Sequence, residues 1–175
     1  MIFWIIFFQP FALENSVSRE TMCLKKNYDV VVVGGGHAGI EAALASARLG
    51  LQVALVTLDA SSIGRMSCNP AIGGLAKGHL VREIDALGGQ MGWLADASGI
   101  QFKMLNKSKG KAVWSPRAQI DKKNYESLVR FLVQSESNLS VIEGEARRIL
   151  TQNGSVCGVT IDDQTRLSCC SLVLT

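Results

Sequence analysis

Tyr28-Asp-Val-Val-Val-Val-Gly-Gly-Gly-His-Ala-Gly39 is an apolar run that breaks into glycines and then resumes as a pattern of small residues. The spacing Gly34-x-Gly36-x-x-Gly39 lies where a strand should end and a helix should start. That context makes the glycines a dinucleotide fingerprint: they allow a tight turn, let backbone N–H groups approach a pyrophosphate, and let the helix pack close to the sheet. The helix start adds free N–H donors and a partial positive charge that suit an anion. The segment that would bind includes Gly34, Gly35, Gly36, His37, Ala38 and Gly39.

Working outward, the spacing predicts a strand over 29–33 and a helix over 38–49. In that helix Ile40, Ala43, Leu44 and Ala47 form an apolar stripe. Gly50 is a stop signal, and a second strand follows over 52–57. This β-α-β unit requires a right-handed parallel crossover. A ribose-binding carboxylate is expected at the end of the second strand. Thr57 stands there instead, with Asp59 as the nearest acid, which argues against a standard NAD site.

A long Gly-rich connection over 59–78 then carries Ser67-Cys68-Asn69-Pro70. Structureless loops of this length are usually functional. Cys68 is a candidate nucleophile or redox group, or else a packed, inert thiol. His37 either touches phosphate or is solvated at the helix start.

The remaining pattern predicts a helix over 79–87 ending at Gly88-Gly89 and a strand over 100–105. A basic loop over 106–117 follows, and then a helix over 119–135 with Ile120, Leu128, Phe131 and Leu132 as its apolar face. A parallel strand is expected over 139–142. Segments 146–150, 156–161 and 165–167 read as an antiparallel meander turning at Asn153-Gly154. A last strand over 171–174 returns to the main sheet. In the basic loop, Lys107, Lys109, Lys111 and Arg117 flank Trp114. The group either grips phosphate and stacks a base or is simply solvated.

The bulk properties agree with one globular α/β domain. The chain has 175 residues, is 47% apolar, and carries a net charge of +3, too small to imply nucleic-acid binding by itself. Its five cysteines are odd in number and lack Cys-x-x-Cys spacing, which argues against a disulfide scaffold and a zinc site and fits a reducing cytoplasm. No metal ligands are expected. The apolar start, Met1 to Phe8, is shorter than the roughly 20 residues of a membrane-spanning helix. Residues 1–27 therefore read as an extension outside the fold, with 1–21 an upstream extension or a start-site artefact. A membrane-surface anchor is the alternative.

Four blocks resemble the glucose-inhibited division protein A family, the FAD-dependent subunit of the bacterial tRNA wobble-uridine modification complex. They are the glycine fingerprint, Met66-Ser-Cys-Asn-Pro-Ala-Ile-Gly-Gly74, Lys77 to Gly89, and Gly99 to Gly110 followed by Arg117-Ala-Gln119. The resemblance runs from Tyr28 to Thr175. It implies a doubly wound FAD/NAD(P)-binding Rossmann-type domain over 28–175 with a small antiparallel meander.

It further implies transfer of an aminomethyl or carboxymethylaminomethyl group to carbon five of the wobble uridine. NADH, a folate one-carbon donor and glycine or ammonium would be consumed. A GTPase partner, tRNA, and a homodimer in the complete enzyme are implied, in the cytoplasm. By position, Gly34 to Gly39 would hold the pyrophosphate and Ala146 the adenine portion through its backbone. Thr57 is compatible with the family, and Cys68 would be one of two functionally important cysteines.

Family members run several hundred residues further, so the expectation is an N-terminal fragment, truncated inside its domain and inactive alone. A non-catalytic nucleotide-binding module stands as the alternative. So does a relative of the folate- and FAD-dependent tRNA uridine methyltransferase, which should carry an acid at position 57.

Overall fold

A computed structural model describes residues 5–6, 28–67, 69–74, 76–162 and 165–175. In chain order the elements are β1 (Ile5–Ile6), β2 (Tyr28–Val33), α1 (His37–Arg48), β3 (Val53–Thr57) and β4 (Ala71–Gly73). Next come α2 (Lys77–Ala86), α3 (Met91–Ser98), β5 (Gly99–Leu105), β6 (Ser115–Ile120) and α4 (Lys122–Ser135). β7 (Leu139–Glu143), β8 (Ala146–Gln152), β9 (Ser155–Ile161) and β10 (Thr165–Leu174) complete the chain. The chain divides into two compact units, residues 1–61 with 136–175, and residues 62–135.

The first unit is built on one sheet of order β7-β3-β2-β10-β9-β8, with β1 paired to β10. β7, β3, β2 and β10 run parallel. A parallel strand covered on both faces reads as a continuous apolar run, and Val30, Val31, Val32, Val53, Ala54 and Leu55 are all buried. Side chains alternate across the sheet. Val31, Ala54 and Val56 therefore join Val159, Ile161, Leu167, Cys169 and Leu172 in one core cluster. The stripe Ile40, Ala43, Leu44 and Ala47 of α1 is buried as its spacing predicts. Burial of each large aliphatic side chain stabilises the fold by about 1.5–3 kcal/mol. Asn138 locks the far end of α1: its side-chain amide donates to the carbonyls of Ala47 and Leu51, both at 2.7 Å.

The meander is antiparallel as expected, β8 with β9 and β9 with β10. Asn153 and Gly154 have φ of 51° and 79°, the pair of positive values that a two-residue hairpin turn needs. The third meander strand and the returning strand are one element. β10 pairs with β9 over 165–168 and with β2 from Cys169 to Leu174. Cys169 is buried and Cys170 half-buried, as neighbours on opposite faces of a strand should be. Of the N-terminal extension, Ile5 and Ile6 pair with Leu174 and Val173. The rest of residues 1–27 lies outside the described residues.

The second unit has, among the described residues, a three-stranded antiparallel sheet of order β4-β6-β5 and three α-helices. The expected helix over 119–135 begins later, at Lys122, because Gln119 and Ile120 finish β6. The cause is Asp121, whose carboxylate accepts the N–H groups of Lys123 (3.0 Å) and Asn124 (3.1 Å) and so caps the helix start. Its buried face is Tyr125, Val129 and Val133, while Phe131 is 66% exposed. The i, i+4, i+8 row won over the expected one. Ser115, Pro116 and Arg117 belong to β6, so the basic loop shortens to 106–114. The long connection after β3 contains β4, and the expected helix over 79–87 spans 77–86. α3 was not read from the sequence, although Met91, Leu94, Ala95 and Ser98 follow helical spacing and are buried.

Candidate dinucleotide site

The glycine turn sits at the carboxyl end of β2, where β2 and β3 run side by side with Val33 opposite Val56. Gly34 has φ of +122°, a conformation L side chains rarely adopt. A side chain there would also strike Thr175, whose backbone O lies 2.8 Å from the ideal Cβ position. Thr175 closes this side of the turn through N–H and hydroxyl bonds to the Val33 carbonyl, at 3.0 and 3.1 Å. A Cβ on Gly39 would overlap the Gly34 carbonyl, so α1 approaches the turn as closely as backbone allows.

Gly36 is different. It has ordinary φ and ψ of −77° and 178°. It is exposed, and nothing lies within 4 Å of its ideal Cβ. Gly36 is the N-cap of α1, no side-chain cap bond is made at that end among the described residues, and no acid occupies the first turn. The first helical turn therefore carries no acidic residue of its own against its positive end. A pyrophosphate fits this arrangement: an open approach at Gly36, uncapped donors, and a positive helix end. Gly35, His37 and Ala38 are half-buried within the same turn.

Thr57 ends β3 and is buried. Its hydroxyl donates to the Asp59 carbonyl at 3.3 Å, and its own carbonyl accepts the Gly144 N–H at 2.9 Å. The carboxylate sought at this position stands one strand over: Glu143 pairs with Thr57 in the parallel register. Glu143 accepts the Ala60 N–H at 3.0 Å. Ala146 opens β8 two residues after Gly144 and pairs with Ile161 beside a register shift. The fold thus gathers the glycine turn, Thr57 and the entrance to β8 at the carboxyl ends of adjacent parallel strands, the usual ligand position in open α/β sheets.

Sequence reasoning did not name Glu143 or Thr175 as part of this edge. Glu143 becomes visible only through strand register, since a carboxylate 86 positions from Thr57 carries no local signal. Cys68 lies outside the described residues. It belongs to the connection between β3 and β4, flanked by Ser67 and Asn69.

Residues 29–175 match the family model described as Glucose inhibited division protein A. The tRNA uridine 5-carboxymethylaminomethyl modification enzyme MnmG of Protochlamydia amoebophila (strain UWE25) is 53% identical over 147 residues, covering 84% of this chain and 24% of that protein. The protein of that name from Aquifex aeolicus (strain VF5) is 59% identical over 132 residues, covering 75% and 21%. The chain spans about a quarter of the length of the curated relatives it matches. Among solved structures, Aquifex aeolicus GidA superposes with a TM-score of 0.82 at 54% identity, covering 85% of this chain and 25% of that one. A glycine oxidase from Bacillus cereus ATCC 14579, at 16% identity, a TM-score of 0.57, and coverage of 85% and 55%, shares the fold alone.

Proposed function

The chain belongs to the glucose inhibited division protein A family, and from that premise we propose that it supplies the FAD-binding part of a tRNA uridine 5-carboxymethylaminomethyl modification enzyme. The observation that carries the cofactor reading is the open side of Gly36 above the uncapped start of α1. A dinucleotide pyrophosphate needs that space and those donors. Gly34 to Gly39 hold the pyrophosphate. Thr57 and Glu143 flank the ribose end, and the backbone of Ala146 meets the adenine portion. Bound there, FAD supplies two-electron redox chemistry.

This chain's own residues bind and orient the cofactor. Cys68, as a thiolate, acts as the nucleophile or redox group of the reaction. In the complete enzyme, NADH serves as reductant and a folate as one-carbon donor. The same reading assigns tRNA, a GTPase partner and a second copy of the enzyme as partners, in the cytoplasm. No helix among the described residues is long and apolar enough to cross a membrane.

The test is direct. The purified chain is expected to carry a yellow flavin spectrum or to quench FAD fluorescence on titration. A colourless protein that leaves FAD fluorescence unchanged overturns the reading.

A further inference from the structure

The β5–β6 hairpin belongs to the second unit, and its charge is one-sided. Between Asp96 and Asp121 the chain holds Lys103, Lys107, Lys109, Lys111 and Arg117 and no acidic residue. Strand register sharpens the point, because Lys103 lies directly opposite Arg117, and Gln101 opposite Gln119. Like charges directly opposite across two strands destabilise a sheet. The hairpin therefore presents a cation rung and an amide rung on one face.

The connecting loop is ordered by its own bonds. The Trp114 indole N–H donates to the Lys107 carbonyl at 3.2 Å, and the Asn106 side-chain amide donates to the Val113 carbonyl at 3.3 Å. Two single-turn helices, Lys107–Lys109 and Lys111–Val113, carry the three lysines in this loop. All three lysines are exposed, and Trp114 is 38% exposed. A backbone that fixes cations together beside an aromatic ring, with no acid in the segment, has the chemistry of a surface for a polyanion with stacking bases.

We propose that the β5–β6 hairpin of residues 99–120 is an RNA-contacting surface. Lys103, Lys107, Lys109, Lys111 and Arg117 meet phosphates, and Trp114 stacks an unpaired base. The assignment rests on the tRNA reading only for the choice of RNA among polyanions.

The test measures anisotropy of a labelled RNA stem-loop of anticodon-arm shape with the full 175-residue chain across a salt series. The variant Lys107→Gln/Lys109→Gln/Lys111→Gln is expected to bind roughly tenfold or more weakly, with the salt slope lowered by about 2. The control Arg147→Gln/Arg148→Gln/Arg166→Gln removes the same charge from the meander strands β8 and β10, and should leave affinity within about twofold. Unchanged circular dichroism confirms that both variants fold. Equal losses in the two variants would show diffuse charge and overturn the proposal, as would a wild-type chain that does not bind the RNA. Flavin binding is read separately, so loss of the hairpin reading with FAD fluorescence still quenched leaves the cofactor assignment standing.

Discussion

At the scale of single residues, the three fingerprint glycines do different work, and substitution separates them. Gly36 occupies an ordinary conformation with free space around it. Gly36→Leu should cost only about 1 kcal/mol, since leucine is a poorer N-cap than glycine while relieving glycine's unfolded-state entropy offsets part of that loss. It should nonetheless weaken FAD binding at least about tenfold by filling the pyrophosphate approach. Gly39→Val should destabilise the fold itself by about 1–3 kcal/mol or more, because its Cβ meets the backbone of Gly34. Thermal melts and flavin fluorescence on the two variants check the contrast, and a Gly36 variant that binds FAD normally refutes the phosphate role. Cys68 calls for a different comparison. In a full-length relative carrying this segment, replacement by serine should keep flavin bound yet abolish tRNA modification. Modification at the wild-type rate would make it a packing residue.

Among the elements, helix α4 shows where periodicity alone misleads. Two rows of apolar residues compete on it, Leu128-Phe131-Leu132 and Tyr125-Val129-Val133, and the second is buried. The sequence contains both rows in full, but only the packing of α4 against α3 and against Gly64, which abuts Val129, selects between them. Tyr125→Ala should cost about 3–5 kcal/mol as a cavity-forming change, and Phe131→Ala less than about 0.5 kcal/mol as a surface change. Urea unfolding of both variants measures the difference, and equal costs would reverse the assignment of faces. The start of α4 was legible in principle. Asp121 is a standard N-cap residue, and only the preceding apolar Ile120 made the helix look longer than it is. β2, α1 and β3 were legible because local pattern and tertiary demand coincide there, with continuous apolar strands, a small-residue stripe, and glycines where the backbone requires them.

At the scale of the whole molecule, the chain spans about a quarter of the length of its curated relatives. Under the proposed function, the purified chain incubated with the proposed GTPase partner, undermodified tRNA, a folate donor, NADH and glycine should form no modified wobble uridine above a no-protein control. Detectable product would mean that these 175 residues suffice for turnover. The sequence by itself determined the β-α-β nucleus, the glycine turn, the antiparallel meander and the family, because each is written in contiguous residues whose spacing matches a backbone period. Tertiary structure alone decided that Glu143 stands beside Thr57 and Thr175 beside Gly34. It also decided that the meander's last strand runs on into the main sheet, and that Lys103 faces Arg117. Those pairings join residues far apart in the chain, and strand register is set by which faces must be buried together, a property of the assembled sheet and not of any one segment.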